Sequence, residues 1–345
     1  MRKSIVFWML LFFTAVQAQQ VTPEVAHTVE SDVSTDADVD GKILYRWKAT
    51  GNPVVTHKYT ADPAALVHND TLFIFTGEDF EGGQRGYNIL NWCVFATTDM
   101  KNFWEYPIPL RATDFSWGEP NAAWASQVIE RDGKFYWYTS SQTTGIGVGV
   151  SDRPEGPYKD AIGKPLLTNE DSYGQSHSWR TIDPSVFIDD DGQAWLYWGN
   201  GACWVVKLNE DMVSYDEEYG VKMVDIEGEM EFPFTEAPWI HKKEDTYFLS
   251  FAIGFPERIA YAISDKPEGP YTYKGVINEI AGNSNTNHQS ILEYKGEWYF
   301  IYHNGGIQTD GGSHSRSLCI DKLEFDENGM YVPVRMTTKG VDQLK

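Results

Sequence analysis

The hydrophobic positions of this chain fall into short, dense runs with aromatic residues on consecutive positions: 72–75 (LFIF), 135–138 (FYWY), 194–198 (AWLYW), 247–251 (YFLSF) and 298–302 (WYFIY). Runs of four or five apolar residues bounded by turn signals predict strands buried on both faces. Each run follows the same phrase: a polar opener, two small or proline residues, an apolar pair and a polar turn. The openers are Asp62 (DPAALV), Trp124 (WASQVI), Asp183 (DPSVFI), Glu236 (EAPWIH) and His288 (HQSILE), spaced 62, 59, 53 and 52 residues apart. Five strand-built repeats of that length predict an all-β fold, a five-bladed β-propeller.

Turn chemistry supports this reading. Asn69-Asp70, Asp132-Gly133, Asp191-Gly192, Lys295-Gly296 and Asn328-Gly329 punctuate the strands, and those with glycine suit two-residue hairpin turns. The phrase SDRPEGPY (151–158) returns as SDKPEGPY (264–271). Proline cannot donate to a strand ladder, so both copies belong at outer blade edges or in loops. No amphipathic helix period is visible. The run Gly145-Ile146-Gly147-Val148-Gly149 imitates part of a phosphate loop, but no helix follows it, and it reads as a tight inner strand.

Equivalent positions of a propeller converge on its axis, so Asp62, Asp183 and Glu236 are expected in one pocket. Cleaving a glycoside takes one protonated carboxyl to release the leaving oxygen and one ionised carboxylate on the opposite face. A third carboxylate nearby holds the acid's pKa up and orients it. Asp before Pro also caps ordinary turns, but structural repeats would more readily keep one opener than vary among three carboxylates.

These openers, their order and the SDxPEGPY phrases resemble glycoside hydrolase family 43, the five-bladed propeller glycosidases of clan F, over about residues 50 to 345. The resemblance implies that Asp62 in ADPAAL is the general base and Glu236 in TEAPWI the general acid. Asp183 in IDPSVF then tunes and orients the acid. It implies inversion at the anomeric carbon, with base and acid roughly 6.5–9.5 Å apart. It also places His288 near the axis, either as a possible ligand of a structural calcium ion or as a hydrogen-bonded pocket histidine. No cofactor is expected to be required. Arg316 in SHSRSLCIDKL would reach the bound sugar's hydroxyls, and Trp124 would wall the sugar site. Trp92, Trp117 and Phe255 are further lining candidates. The expected substrate is an oligosaccharide or polysaccharide of the plant cell wall, arabinoxylan or arabinan. The expected activity is α-L-arabinofuranosidase, β-D-xylosidase or both. An endo-arabinanase of the same family, a non-catalytic glycan-binding propeller and an interaction scaffold are the alternatives.

Charge narrows the partners. With 50 acidic and 28 basic residues the net charge is −22, a field that repels nucleic acid and leaves neutral sugars unaffected. Residues 1–18 read as a signal peptide, with Arg2 and Lys3 before an apolar stretch too short to span a bilayer and Val16-Gln17-Ala18 at the cleavage site. Export to the periplasm or the medium is expected. Residues 19–45 read as an acidic linker or arm and 46–345 as the catalytic propeller. Asp36, Asp38 and Asp40 imitate half of a calcium loop, but Trp47 stands where its closing Glu belongs. Cys93, Cys203 and Cys319 fall in three different repeats and read as small buried strand residues. Neither GxSxG nor HExxH occurs.

Overall fold

The computed structural model describes residues 43–80 and 86–345. The expected signal peptide, the stretch around Asp36 and most of the expected arm lie outside them. Five sheets follow one another along the chain. The first combines β1 (Tyr45–Lys48), β2 (Tyr59–His68), β3 (Thr71–Asp79), β4 (Ile89–Thr97) and β5 (Asn102–Glu105), with β1 added outside β5. The second holds β6 (Ala123–Arg131), β7 (Lys134–Ser141), β8 (Gly145–Ser151) and β9 (Lys159–Asp160). The third holds β10 (Ser185–Ile188), β11 (Ala194–Trp198), β12 (Trp204–Lys207) and β13 (Lys222–Met223). The fourth comprises β14 (Ile226–Glu227), β15 (Trp239–Lys243), β16 (Thr246–Ile253), β17 (Arg258–Ser264) and β18 (Tyr271–Asn278), with β14 parallel to β18 at the outer edge. The last holds β19 (Gln289–Tyr294), β20 (Glu297–Asn304) and β21 (Ser317–Lys322). This is a five-bladed β-propeller with β2, β6, β10, β15 and β19 innermost. Among the described residues the helical content is one 3-10 turn, Ala112–Asp114, and no helix is long and apolar enough to cross a membrane.

The dense aromatic runs are the second strands of the blades, and their lack of alternation has a direct cause. Each blade is sandwiched between two others, so successive side chains enter different cores. In β3, Leu72 and Ile74 join the cluster shared with the last blade, while Phe73 and Phe75 join the one shared with the second blade. In β11, Leu196 and Trp198 face the second blade and Tyr197 faces the fourth. In β20, Tyr299 and Ile301 face the first blade and Phe300 and Tyr302 face the fourth. Five clusters thus fill five interfaces, and Cys93, Cys203 and Cys319 are buried free thiols within them.

The turn expectations hold at three of the five sites, whereas at Asp191-Gly192 and Asn328-Gly329 only the glycine takes positive φ (84° and 74°). Asp132-Gly133 and Lys295-Gly296 take positive φ at both residues (54° and 74°, 51° and 77°), as does Asn69-Asp70 (47° and 62°), the geometry of tight hairpins. Both SDxPEGPY copies lie outside the third strands, where the Tyr158 hydroxyl donates to Pro154 O at 2.8 Å and the Tyr271 hydroxyl to Pro267 O at 2.6 Å. The glycine run is not an inner strand. It forms β8, third in its blade, and a side chain on Gly147 would begin 2.3 Å from the Trp117 ring.

The ring closes without sharing a strand between its two ends. Instead residues 51–60 run along β21. Val54 N–H donates to Leu318 O (2.9 Å), Thr60 N–H donates to Arg316 O (2.8 Å), and Leu318 N–H donates to Thr60 Oγ1 (2.9 Å). Asn52 is the fastening point: its amide nitrogen donates to Thr337 O (2.8 Å) and Ile320 O (3.2 Å), and its amide oxygen accepts from Ile320 N–H (2.9 Å). The tail packs so tightly here that a side chain on Gly51 would begin 2.4 Å from Thr338 O. Asn52→Ala should therefore destabilise the fold by about 3 kcal/mol, because buried backbone partners are left unsatisfied. A denaturant midpoint measured against an exposed Asn102→Ala control checks this.

Candidate active site

A cavity of about 600 Å³ opens at the axis, and all six residues expected at the site line it: Asp62, Trp124, Asp183, Glu236, His288 and Arg316. Phe255 lines it too. Trp92 does not, being fully buried in the core between the first and second blades, with its indole N–H on Trp124 O at 2.7 Å. Trp117 packs against the same core.

The carboxylates are aimed by an unusual backbone. Asp62, Asp183 and Ala237 each precede a proline, and each is held in the left-handed region, with φ of 50°, 59° and 56°. Such a conformation costs on the order of 1 kcal/mol outside glycine, and Asp tolerates it better than most. Each of these residues donates its N–H to a side chain of the blade before it. Asp62 donates to His303 Nδ1 (3.2 Å), Asp183 to Ser140 Oγ (2.8 Å) and Ala237 to Asp183 Oδ2 (3.0 Å). By this geometry the true counterpart of Asp62 and Asp183 is Ala237. Glu236 stands one residue earlier than repeat equivalence suggested, and its longer side chain reaches the same cavity from there.

Among the described residues one arginine serves the axis. Arg316, 2% exposed, grips Asp79 through Nε and Nη2 (both 2.9 Å) and Asp62 Oδ1 through Nη1 (2.7 Å). Burial alone would raise the pKa of Asp62, but Arg316, with His303 and His288 beside it, holds that carboxyl well below the usual range. Arg316 is thus first a buried counter-ion, a relation that the resemblance to sugar-binding arginines did not convey. Glu236 makes no such pair among the described residues. Burial and then the charge of Asp62 push it up to about 7, against a hydrogen bond from Asn200 Nδ2 to its Oε2 (2.5 Å). Asp183 is driven well above its ordinary value by burial, then by Glu236 and Asp62. His288 Nδ1 stands 3.9 Å from both Asp62 Oδ1 and Asp183 Oδ2, and burial lowers it to about 4, so its ring is neutral near pH 7. The cavity therefore pairs an ionised carboxylate with a carboxyl still protonated near neutrality, the arrangement that acid–base cleavage of an acetal needs.

The model of glycosyl hydrolases family 43 matches residues 50–331. The chain belongs to this family. It is a glycoside hydrolase. A β-D-galactofuranosidase of Aspergillus niger is 32% identical over 313 residues, covering 85% of this chain and 87% of that one. An α-L-arabinofuranosidase of Clostridium thermocellum superposes with a TM-score of 0.71 at 35% identity, covering 84% of this chain and 97% of that one. A family 43 β-xylosidase/α-arabinofuranosidase from a compost metagenome, in complex with xylotriose and in a calcium-free form, superposes at 0.73 with 29% identity, covering 83% and 98%.

The two carboxylate oxygens 3.9 Å from His288 Nδ1 each already accept a hydrogen bond, Asp62 Oδ1 from Arg316 and Asp183 Oδ2 from the Ala237 N–H, and a calcium ion there would need six to eight oxygen ligands. Among the described residues no three His, Cys, Asp or Glu side chains are grouped to hold a metal. No step is therefore routed through a metal at His288.

Five residues at the site escaped sequence reasoning: Asp79, Asn200, Glu257, His303 and Tyr87. Asp79 and His303 lie at the ends of β3 and β20, Asn200 just past β11, and Glu257 just before β17. For Asp79, Asn200 and His303 the signal is the polar residue close after each aromatic run, in TGED, WGN and YHN; Glu257 in FPE and Tyr87 carry none.

The charge state of this cavity opposes stability at alkaline pH. Glu236 binds its proton more tightly folded than unfolded. Its contribution is complete below the unfolded value of 4.5 and lost as pH rises through about 7. Glu236→Gln should accordingly match the wild type in stability at pH 4.5 and exceed it at pH 8, by on the order of 2 kcal/mol. Urea midpoints at the two pH values check the sign.

Proposed function

We propose that this family 43 enzyme hydrolyses terminal α-L-arabinofuranosyl or β-D-xylosyl groups of arabinoxylan fragments with inversion. The observation that carries the reading is the split between two carboxyls of one cavity: Asp62 fixed as an anion by Arg316, Glu236 keeping its proton to about pH 7. Asp62 takes a proton from water as its oxygen attacks the anomeric carbon. Glu236 gives its proton to the glycosidic oxygen as the C–O bond breaks. Asp183 accepts the Ala237 N–H next to Glu236, so that the acid stays aimed, while burial and the charge of Asp62 keep it protonated. Arg316 keeps Asp62 ionised at the expense of basicity, which leaves the acid's protonation as the pH-sensitive step.

The wall residues support a small sugar. The Trp124 indole is fixed by its hydrogen bond to Tyr87 O (2.8 Å), and Ile89 lies alongside in the lining. Trp179 and Phe255 line the same cavity while remaining 46% and 65% exposed, placing stacking faces at its mouth for the rest of the chain. The arabinofuranosidase and xylosidase structures that this chain resembles favour a pentose. Export, expected from residues 1–18, belongs to the same proposal.

Proton NMR of arabinoxylan oligosaccharides with the wild-type enzyme tests the activity directly. Fresh β-arabinose or fresh α-xylose, seen before mutarotation, is expected. Initial release of the opposite anomer would remove the inverting assignment, and no released sugar would remove the substrate.

The roles are separable by leaving group. Glu236→Ala should lose about 10²–10⁴-fold on natural oligosaccharides but much less on aryl glycosides whose leaving groups need little protonation. Asp62→Asn should lose both. Equal losses in Glu236→Ala, or residual turnover in Asp62→Asn, would count against these assignments.

A further inference from the structure

The proposed trio leaves one buried acid of the cavity without a part. Glu257 is 1% exposed and lines the cavity beside Glu236. Its N–H is anchored on Asn285 O at 2.9 Å, and its Oε2 accepts the Asn287 N–H at 2.8 Å. Its Oε1 is buried and receives no hydrogen bond. An ionised oxygen in that position would forfeit its hydration with nothing in return. Glu236 and Glu257 line one cavity and act on each other, Glu257 as a hydrogen-bond donor that lowers Glu236 and Glu236 as a charge that raises Glu257, and two anions so placed would repel without a proton between them. A proton on Oε1 resolves both difficulties. Oε1 is then a donor rather than an orphaned acceptor, and Oε2 is the carbonyl oxygen that Asn287 requires.

We propose that Glu257 is a positioning residue for Glu236: a carboxylic acid that keeps its own proton and donates a hydrogen bond to the carboxylate left when Glu236 protonates the leaving oxygen. The inference rests on the acid assignment of Glu236 made above. The proton that Glu236 loses goes to the glycosidic oxygen, the water's proton goes to Asp62, and the Glu257 proton stays on Oε1. Asn200 Nδ2 supplies the second donor, on Glu236 Oε2. The charge that forms on the acid thus meets two preset donors.

The neighbours favour a neutral Glu257. Burial, then the charge of Glu236, raise its pKa well above the usual value, and Asp183 and Asp62 act in the same sense. Tyr87, His288 and Arg316 line the same cavity, but the guanidinium is committed to Asp62 and Asp79. The next residue, Arg258, pairs instead with the exposed Glu279 at 2.9 Å.

The test is the pH profile of kcat/KM and the turnover of wild type, Glu257→Gln and Glu257→Leu, on a xylo- or arabino-oligosaccharide and on an activated aryl glycoside. Glu257→Gln replaces the O–H donor by N–H. It should keep the alkaline limb within about 0.5 pH unit of wild type and keep most of the turnover. Glu257→Leu removes the donor. It should lose about 10- to 100-fold in kcat on the oligosaccharide, far less on the aryl glycoside, and move the limb to higher pH. An acidward move of about one unit or more in Glu257→Gln would show that an anion had been removed, and would overturn the proposal. Wild-type turnover in Glu257→Leu would do the same. A wild-type profile with no alkaline limb on the oligosaccharide would instead sink the acid role of Glu236, and this inference with it. Infrared spectra decide the matter even if the leucine variant fails to fold: the protonated-carboxyl band at pH 8 should lose one component in Glu257→Gln, and an unchanged band would refute the assignment.

Discussion

Among the described residues five carboxyl groups and one guanidinium meet near the axis of this propeller, and the mismatch governs the site. Arg316 is occupied by Asp79 and Asp62, so Asp183, Glu236 and Glu257 share the cavity with no other described cation beside them. In such surroundings charge is shed by holding protons. The contrast between an ionised Asp62 and a protonated Glu236 therefore follows from where a single arginine is placed, more than from any property of the two acids. Asp79, which never approaches the chemistry in this account, matters because it orients the guanidinium with two hydrogen bonds and leaves one edge for Asp62.

The fold supplies this arrangement through the faces of its blades. Second strands packed on both sides have little freedom to shift, and the polar residues at their ends are correspondingly fixed. His303 and Ser140, seventh residues of β20 and β7, each accept the N–H of an adjacent opener. Asp62 and Asp183 are thus registered against the neighbouring blade as well as against their own. The left-handed residues before proline turn the chain sharply at the axis: in the third and fourth blades the inner strand begins just after the proline, and in the first the Asp62-Pro63 pair interrupts the β2 ladder between Ala61 and Ala64.

Much of this was legible in the amino-acid order. Repeat spacing disclosed five blades, the consecutive aromatics disclosed strands buried on both faces, and the openers disclosed which carboxylates converge. What escaped has a common cause: it depended on pairings between blades. Nothing local marks Asp79 as the partner of Arg316, 237 residues away, or Glu257 as the neighbour of Glu236. The one-residue offset of Glu236 was hidden because Glu-Ala-Pro and Asp-Pro look like variants of one opener until the backbone angles are known. The β8 glycines suggested an inner strand because their small size was legible, but the Trp117 ring that demands it was not.

The seam at which the ring closes has a consequence for how the enzyme fails. Thr60, two residues before the ionised Asp62, is tied to Arg316 through the backbone and to Leu318 through its hydroxyl. The bonds that shut the propeller and the bond that charges Asp62 therefore occupy the same few residues. A molecule whose first and last blades part company loses its arginine–aspartate pair at once, while the other four blade interfaces stay intact. Activity then reads out circular integrity: a sprung ring is silent well before it is unfolded, and no partly opened intermediate is left with a working acid–base pair on an unguarded surface.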